Sequence, residues 1–200
     1  MKYYKLLTQE MTSHKNTKWK LNVPITIEKE GVEMCTDSVL HCYNHPLLAV
    51  ILNPIHANIK NPLLFEISVD KIVNTDGLKF ASKSQTLLKK IDLPEISTEQ
   101  KVEFGIRVVK LVCKDESWNA WADKWLDNTD RSKESAYTAA LAATSAARAA
   151  RAVANAANYA ANVANAANYA ADAAADAAAD KNEFNKQMIS IIESIVKVEK

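Results

Sequence analysis

Two thiols and two imidazoles crowd into the stretch CTDSVLHCYNH, residues 35–45, as Cys35, His41, Cys42 and His45. Cys and His in fours are the ligand set of structural zinc, so the first chemistry to test is a metal centre. The spacing argues against it. His41 and Cys42 are adjacent, and on an extended strand adjacent side chains leave on opposite faces. The expectation is therefore packed thiols and capping or surface imidazoles, with no metal and no cofactor. No G-x-S-x-G, H-E-x-x-H, P-loop or G-x-G-x-x-G pattern occurs, and three glycines in 200 residues leave little for a phosphate-cradling loop. Asp and Glu are scattered, and no pair takes acid and base roles by spacing. A second candidate chemistry is nucleic-acid contact by Lys2, Lys5, Lys15, Lys18 and Lys20, interleaved with Tyr3, Tyr4 and Trp19. The formal net charge of only +1 speaks against it.

The elements that must position these residues fall into two parts. All five prolines and three glycines lie at or before Gly105. Beyond it the strongest helix breakers are missing, which predicts a helical C-terminal half. Before it, the β-prone runs Lys2–Leu7, Ile25–Lys29, Leu63–Val69 and Thr86–Leu93 alternate with turn residues such as Asn61-Pro62 and Asp76-Gly77. The apolar run His45–Pro54 reads as one to two turns of buried helix. Ser97 to Gln100 offers a capping box. Val102, Ile106, Val109 and Cys113 then make a helical stripe expected to pack on the sheet. A second helix near Glu116–Leu126 carries Trp118, Trp121 and Trp125 on one face, read as packing.

From Ser132 to Asp180 the chain is mostly alanine, the residue with the highest helix propensity, and the decapeptide VANAANYAAN at residues 153–162 recurs as VANAANYAAD at 163–172. A single helix there would be about 70 Å long. Asn155, Asn158, Asn162, Asn165 and Asn168 line one stripe; Val153, Ala156, Ala160, Val163 and Ala167 line another, flanked by Tyr159 and Tyr169. A narrow Ala/Val seam allows close backbone approach, so these seven residues are the candidate partner-binding face. Asp172, Asp176 and Asp180 would burden the negative end of a helix stopping there. Either the helix continues or Asp180 caps a new one. The last segment is amphipathic, and its Phe184, Met188, Ile191 and Ile195 are candidates for self-association or for folding back.

The segment SWNAWADKWLDNTDRSKESAYTAALAA resembles a family of small proteins encoded by bacteriophages and prophages. The matching residues are Tyr4-Lys5, Cys35, His41, Trp121-Ala122, Trp125-Leu126 and Thr129-Asp130-Arg131-Ser132. Val39-Leu40 stand where the family has Gly-Phe, and Asn128 where glycine is usual. The resemblance implies an N-terminal α+β domain, an Ala-rich tail and a phage or mobile-element origin, but no activity. A Tyr-Lys strand before such a histidine segment is also similar to the opening of ADP-ribosyltransferase-like folds, although no catalytic glutamate can be placed.

The expected architecture is α+β: a mixed domain over 1–128, an Ala-rich helix over 132–180 and an amphipathic helix over 181–200. The expected function is non-enzymatic, a phage-type accessory protein that binds and blocks a host or defence macromolecule through its helices. A structural or spacer protein of a particle is the alternative, and an ADP-ribosyltransferase-like enzyme a further one. A protein partner and a homo-oligomer are expected, without nucleic acid or membrane. Three cysteines and an opening without an apolar run suit the cytoplasm, that of the host if phage-encoded.

Overall fold

The computed structural model describes residues 2–13, 16–111, 113–132, 134–135 and 180–196. The Ala-rich run, with its candidate face from Val153 to Tyr169, lies outside the described residues. The chain is α+β and divides into two units, Met1–Glu95 with Asp180–Asn185, and Ile96–Ala179 with Lys186–Lys200.

In the first unit, β1 (Tyr3–Leu7), β4 (Leu63–Val69), β7 (Ser84–Ile91) and β2 (Pro24–Thr26) form an antiparallel sheet in the order β1-β4-β7-β2. A smaller antiparallel sheet orders β3 (Leu40–Cys42), β6 (Phe80–Ser82) and β5 (Ile72–Thr75). Of the four runs read as strands, Lys2–Leu7 and Leu63–Val69 hold β1 and β4, while Ile25–Lys29 and Thr86–Leu93 overlap β2 and β7. The smaller sheet is not among the expected strands: its members are three or four residues long, and β3 lies inside the Cys/His stretch. Inward residues of both sheets share one core: Leu7, Phe65, Ile67 and Leu87 from the larger, Leu40, Cys42 and Phe80 from the smaller, with Trp19. Pro24 sits on edge strand β2, where a missing N–H costs no ladder bond and blunts the edge.

The run from His45 folds as α1 (Pro46–Ile51) followed by the single turn α2 (Asn53–His56). Proline opens each helix instead of closing one, because its absent N–H is one the first turn leaves unpaired anyway. Leu47, Leu48, Ala49 and Ile51 are buried, and α1 packs on β1. Asp76-Gly77 forms the β5–β6 turn, where Gly77 has φ 88° and Asp76 Oδ1 accepts from the Leu78 and Lys79 amides.

In the second unit the capping box at Ser97 and Gln100 opens α3 (Thr98–Lys110), and the Asp115 carboxylate caps α4 (Glu116–Leu126). The Ser117 hydroxyl and the Trp118 amide hold that carboxyl below its usual range. Ile106 and Val109 are buried with Val102 and Cys113 packed beside them, as the stripe predicts, in a cluster with Trp118, Trp121 and Ala122. Tryptophans at helical spacing bring a large apolar area to one face of α4, and α3 pairs with it. The last helix, α5 (Lys181–Ile195), begins afresh: the Asp180 carboxylate accepts from the Asn182 and Glu183 amides. Asp180 thus takes the capping role, which turns its charge from a burden at a helix end into an asset at a helix start.

Candidate functional site

Strand β3 organises the chemistry of the first unit. Cys42 points into the shared core with no exposure, its thiol 3.6 Å from the Phe80 carbonyl oxygen. His41, next along the strand, leaves on the other face. Its Nε2 accepts from the Cys35 amide at 3.1 Å, so the ring proton sits on Nδ1. Cys35 and His41 therefore meet through a backbone amide and not as two ligands of one metal. Among the described residues no group of three or more His, Cys, Asp or Glu side chains is arranged to hold a metal.

Two sheets that share a core but hardly a ladder need another joint. Tyr4 and Tyr43 exchange both backbone hydrogen bonds, at 2.7 and 2.9 Å, and that isolated bridge is the whole ladder between β1 and the segment following β3. Side chains do the rest. Lys5 Nζ donates to the His41 carbonyl at 2.6 Å and to Gln85 Oε1 at 3.1 Å; Gln85 Nε2 donates to the Leu40 carbonyl and to Ser82 Oγ. The ammonium also lies 4.7 Å from the Trp19 ring centre. Lys5 and Trp19 are thus both interior, which removes them from the proposed phosphate-gripping surface; Lys15 lies outside the described residues. Period-2 alternation was the available signal, since it puts Lys5 on the face of Leu7. Burial pulls the Lys5 ammonium down to about 8 and pushes the Cys42 thiol up to about 12.

On the outer side of β3, Asp76 and Lys79 pair at 2.9 Å across the turn. Burial alone would raise the Asp76 carboxyl, but the Lys79 ammonium outweighs it and holds the acid low; Asp76 likewise holds Lys79 high against its burial. The Cys35 thiol lies within reach of the same ammonium. Burial, then the Lys79 and Lys5 charges, depress His41 to about 4, so its ring is neutral at physiological pH. Tyr43 Oη and His56 Nδ1 are 2.9 Å apart, and burial raises the phenol.

The loop that carries Cys35 is pinned by Lys83, whose Nζ donates to the carbonyls of Lys29, Gly31 and Ser38 at 2.7, 2.5 and 2.7 Å. Replacing it with methionine is expected to speed amide exchange over 29–38 by about tenfold or more, since each charge-assisted bond is worth about 1.5 kcal/mol or more. Unchanged exchange in Lys83→Met would mean the loop is held by something else.

Residues 1–99 match a family model described as Domain of unknown function (DUF7666). The matched stretch holds both sheets and the whole cluster around β3 and stops at the opening turn of α3. It leaves out residues 180–185, which the structure adds to the same unit. No curated protein matches the chain, and no solved structure does.

The tightest part of the phage-family resemblance has an architectural explanation. Asn128 has φ 67°, the Thr129 amide reaches back to the Lys124 carbonyl at 2.9 Å, and the Asn128 amide reaches Trp125 at 3.3 Å. This double closure is a Schellman stop, whose left-handed position takes glycine first and asparagine second. Arg131 then folds back over the Trp125 ring, 4.2 Å from its centre, donates to the Trp125 carbonyl at 3.0 Å and pairs with Glu99. Asn128→Gly is expected to leave stability within about 0.5 kcal/mol and Asn128→Val to cost about 1–2 kcal/mol. Equal melting of the two variants would refute the stop as described.

Of the residues read as a self-association face, Phe184 and Met188 are buried within the single chain, while Ile191 and Ile195 are half-buried. Among the described residues no helix is long and apolar enough to cross a membrane.

Proposed function

We propose that the chain is a non-catalytic, phage-type accessory protein that binds a host or defence macromolecule and blocks it sterically, through its Ala-rich helical segment. One observation carries the non-catalytic part. The side chains best suited to chemistry are engaged in holding the first unit together: Lys5 and Gln85 on β3 carbonyls, His41 on the Cys35 amide, Cys42 in the core, Asp76 on Lys79. The binding part is supported by the repeated decapeptide, whose narrow Val153–Ala167 seam and Tyr159 and Tyr169 anchors suit close contact with a partner helix. The phage context rests on the resemblance of the Trp121–Ser132 segment.

The test is affinity capture from bacterial lysate with the whole chain and with Ala156, Ala160 and Ala167 all changed to Leu. A stoichiometric host protein held by the wild type and lost by the triple variant is the expected result. Equal capture by both would exclude the seam. Capture of nothing, with co-sedimentation on phage particles, would favour a spacer or assembly protein instead.

A further inference from the structure

We propose that the loop 29–38 forms a monovalent-cation site whose resident cation is the Lys83 ammonium. Free potassium or ammonium takes its place once that side chain is cut back. The carbonyl oxygens of Lys29, Gly31 and Ser38 converge on Nζ at 2.7, 2.5 and 2.7 Å. A lysine ammonium has three N–H groups, and here each has a carbonyl. Gly31, at φ 96°, makes the close turn possible, since a Cβ there would come within 3.3 Å of Ser38 Oγ. The walls of this cage are held by other contacts. Lys29 Nζ pairs with Asp37 at 2.7 Å, the Thr36 hydroxyl donates to the Glu33 carbonyl at 2.9 Å, and the Thr36 and Ser38 hydroxyls are 2.6 Å apart. Asn74 Nδ2 donates to the Val32 carbonyl at 2.9 Å, and the Cys35 amide rests on His41. None of these contacts involves Lys83, so they outline the cage without it.

The ligands select the occupant. All three are neutral carbonyls, the groups that replace the hydration shell of potassium in selective channels. Potassium and ammonium are close in size and carry one charge each. Calcium draws carboxylate ligands and magnesium keeps its own waters in a near-octahedral shell, and three carbonyls supply neither arrangement. The Asp37 carboxylate is engaged by Lys29, and Glu33 Oε2 lies against Gly31, where its charge favours a cation over a neutral guest. Tethering frees the wild-type chain from any dissolved ion. Lys83 sits between β6 and β7 with its own carbonyl accepting from the Ile27 amide at 2.9 Å, so its charge is always delivered to the cage. Removing the ammonium leaves three acceptors aimed at one point without a donor, and a free cation relieves that penalty. The site is separate from the Ala-rich seam and stands whatever that seam binds.

The experiment follows amide exchange over 29–38 in the full chain, as wild type, Lys83→Ala and Lys83→Met. Each is measured in potassium, ammonium and tetramethylammonium chloride at equal ionic strength, the last ion being too large for the gap. Lys83→Ala opens the cage and Lys83→Met fills it with an uncharged side chain. In Lys83→Ala, potassium and ammonium are expected to slow exchange relative to tetramethylammonium, about threefold at about 200 mM for an ion bound in the 100 mM range. Wild type is expected to exchange slowly, and Lys83→Met quickly, in all three salts. Should Lys83→Ala unfold in tetramethylammonium, its refolding in potassium is the expected result. Equal exchange of Lys83→Ala in the three salts, the same slowing in Lys83→Met, or an alanine variant left unfolded in every salt would each overturn the proposal.

Discussion

From pH 8 to pH 10.5 the unfolding free energy of Cys42→Ala is expected to rise relative to that of the wild-type chain, by about 2 kcal/mol, and that of Lys5→Met to fall relative to it, by about 3 kcal/mol. The two buried groups pull in opposite directions. Lys5 titrates at about 8 when folded and at 10.5 when free, so across this window the unfolded chain binds a proton that the folded chain has lost. Stability therefore rises with pH, by about 3 kcal/mol for the whole shift. Cys42 titrates at about 12 when folded against 9.0 when free, so above pH 9 the unfolded chain sheds a proton that the folded chain keeps. Stability falls, by about 2 kcal/mol at pH 10.5 and about 4 kcal/mol at pH 12. Each substitution leaves the other slope uncovered. Denaturant unfolding at half-unit pH steps reads all three curves, and parallel curves would show that neither group is buried as described. The slopes are the test, since Lys5→Met also strands the His41 carbonyl and Gln85 Oε1 and shifts the whole curve down.

Acid is expected to act through His41. Its folded value near 4 lies below the free value of 6.5. A depressed folded value means stability that is present above pH 6.5 and lost as pH falls through 4, because the unfolded chain takes up the proton first. The loss is about 2–3 kcal/mol, allowing for the part of the ring that faces water. Protonation of the folded ring, as pH falls through about 4, would also remove the Nε2 lone pair that receives the Cys35 amide, so the 29–38 loop should loosen there. His41→Gln keeps an acceptor and has nothing to titrate; its stability should be flat from pH 6.5 to 4. A wild-type curve equally flat there, or a variant curve equally steep, would remove His41 as the acid-sensitive group. Asp76 cannot mimic it, since its carboxyl is held below the ordinary value of 3.8 and gives way only in stronger acid.

These groups matter because of where β3 runs, and β3 was not legible beforehand. Three residues carry no readable alternation, and the eye goes to the thiols and imidazoles around them. What local chemistry alone determined were the features that satisfy themselves within a few residues. The Ser97 capping box, the Asp76-Gly77 turn, the pairing of tryptophans at helical spacing and the face parity that separates His41 from Cys42 are of this kind. Each depends on backbone geometry over a handful of positions, so composition and spacing suffice.

Tertiary structure decided everything that joins distant positions. Lys5 became a joint between sheets because β3 carbonyls came within its reach, 36 residues on. The α3 stripe met Trp118 and Trp121. Most of all, Asn185 and Phe184 completed a unit whose other members end at Glu95. An amphipathic segment announces that its apolar face must be covered, but many surfaces can cover it at similar cost per unit area. The seat at Gly77, whose carbonyl accepts from the Asn185 amide and where a Cβ would crowd Lys181, and the Asn44 amide that donates to the Asn185 oxygen select one, and those exist once the two sheets have closed.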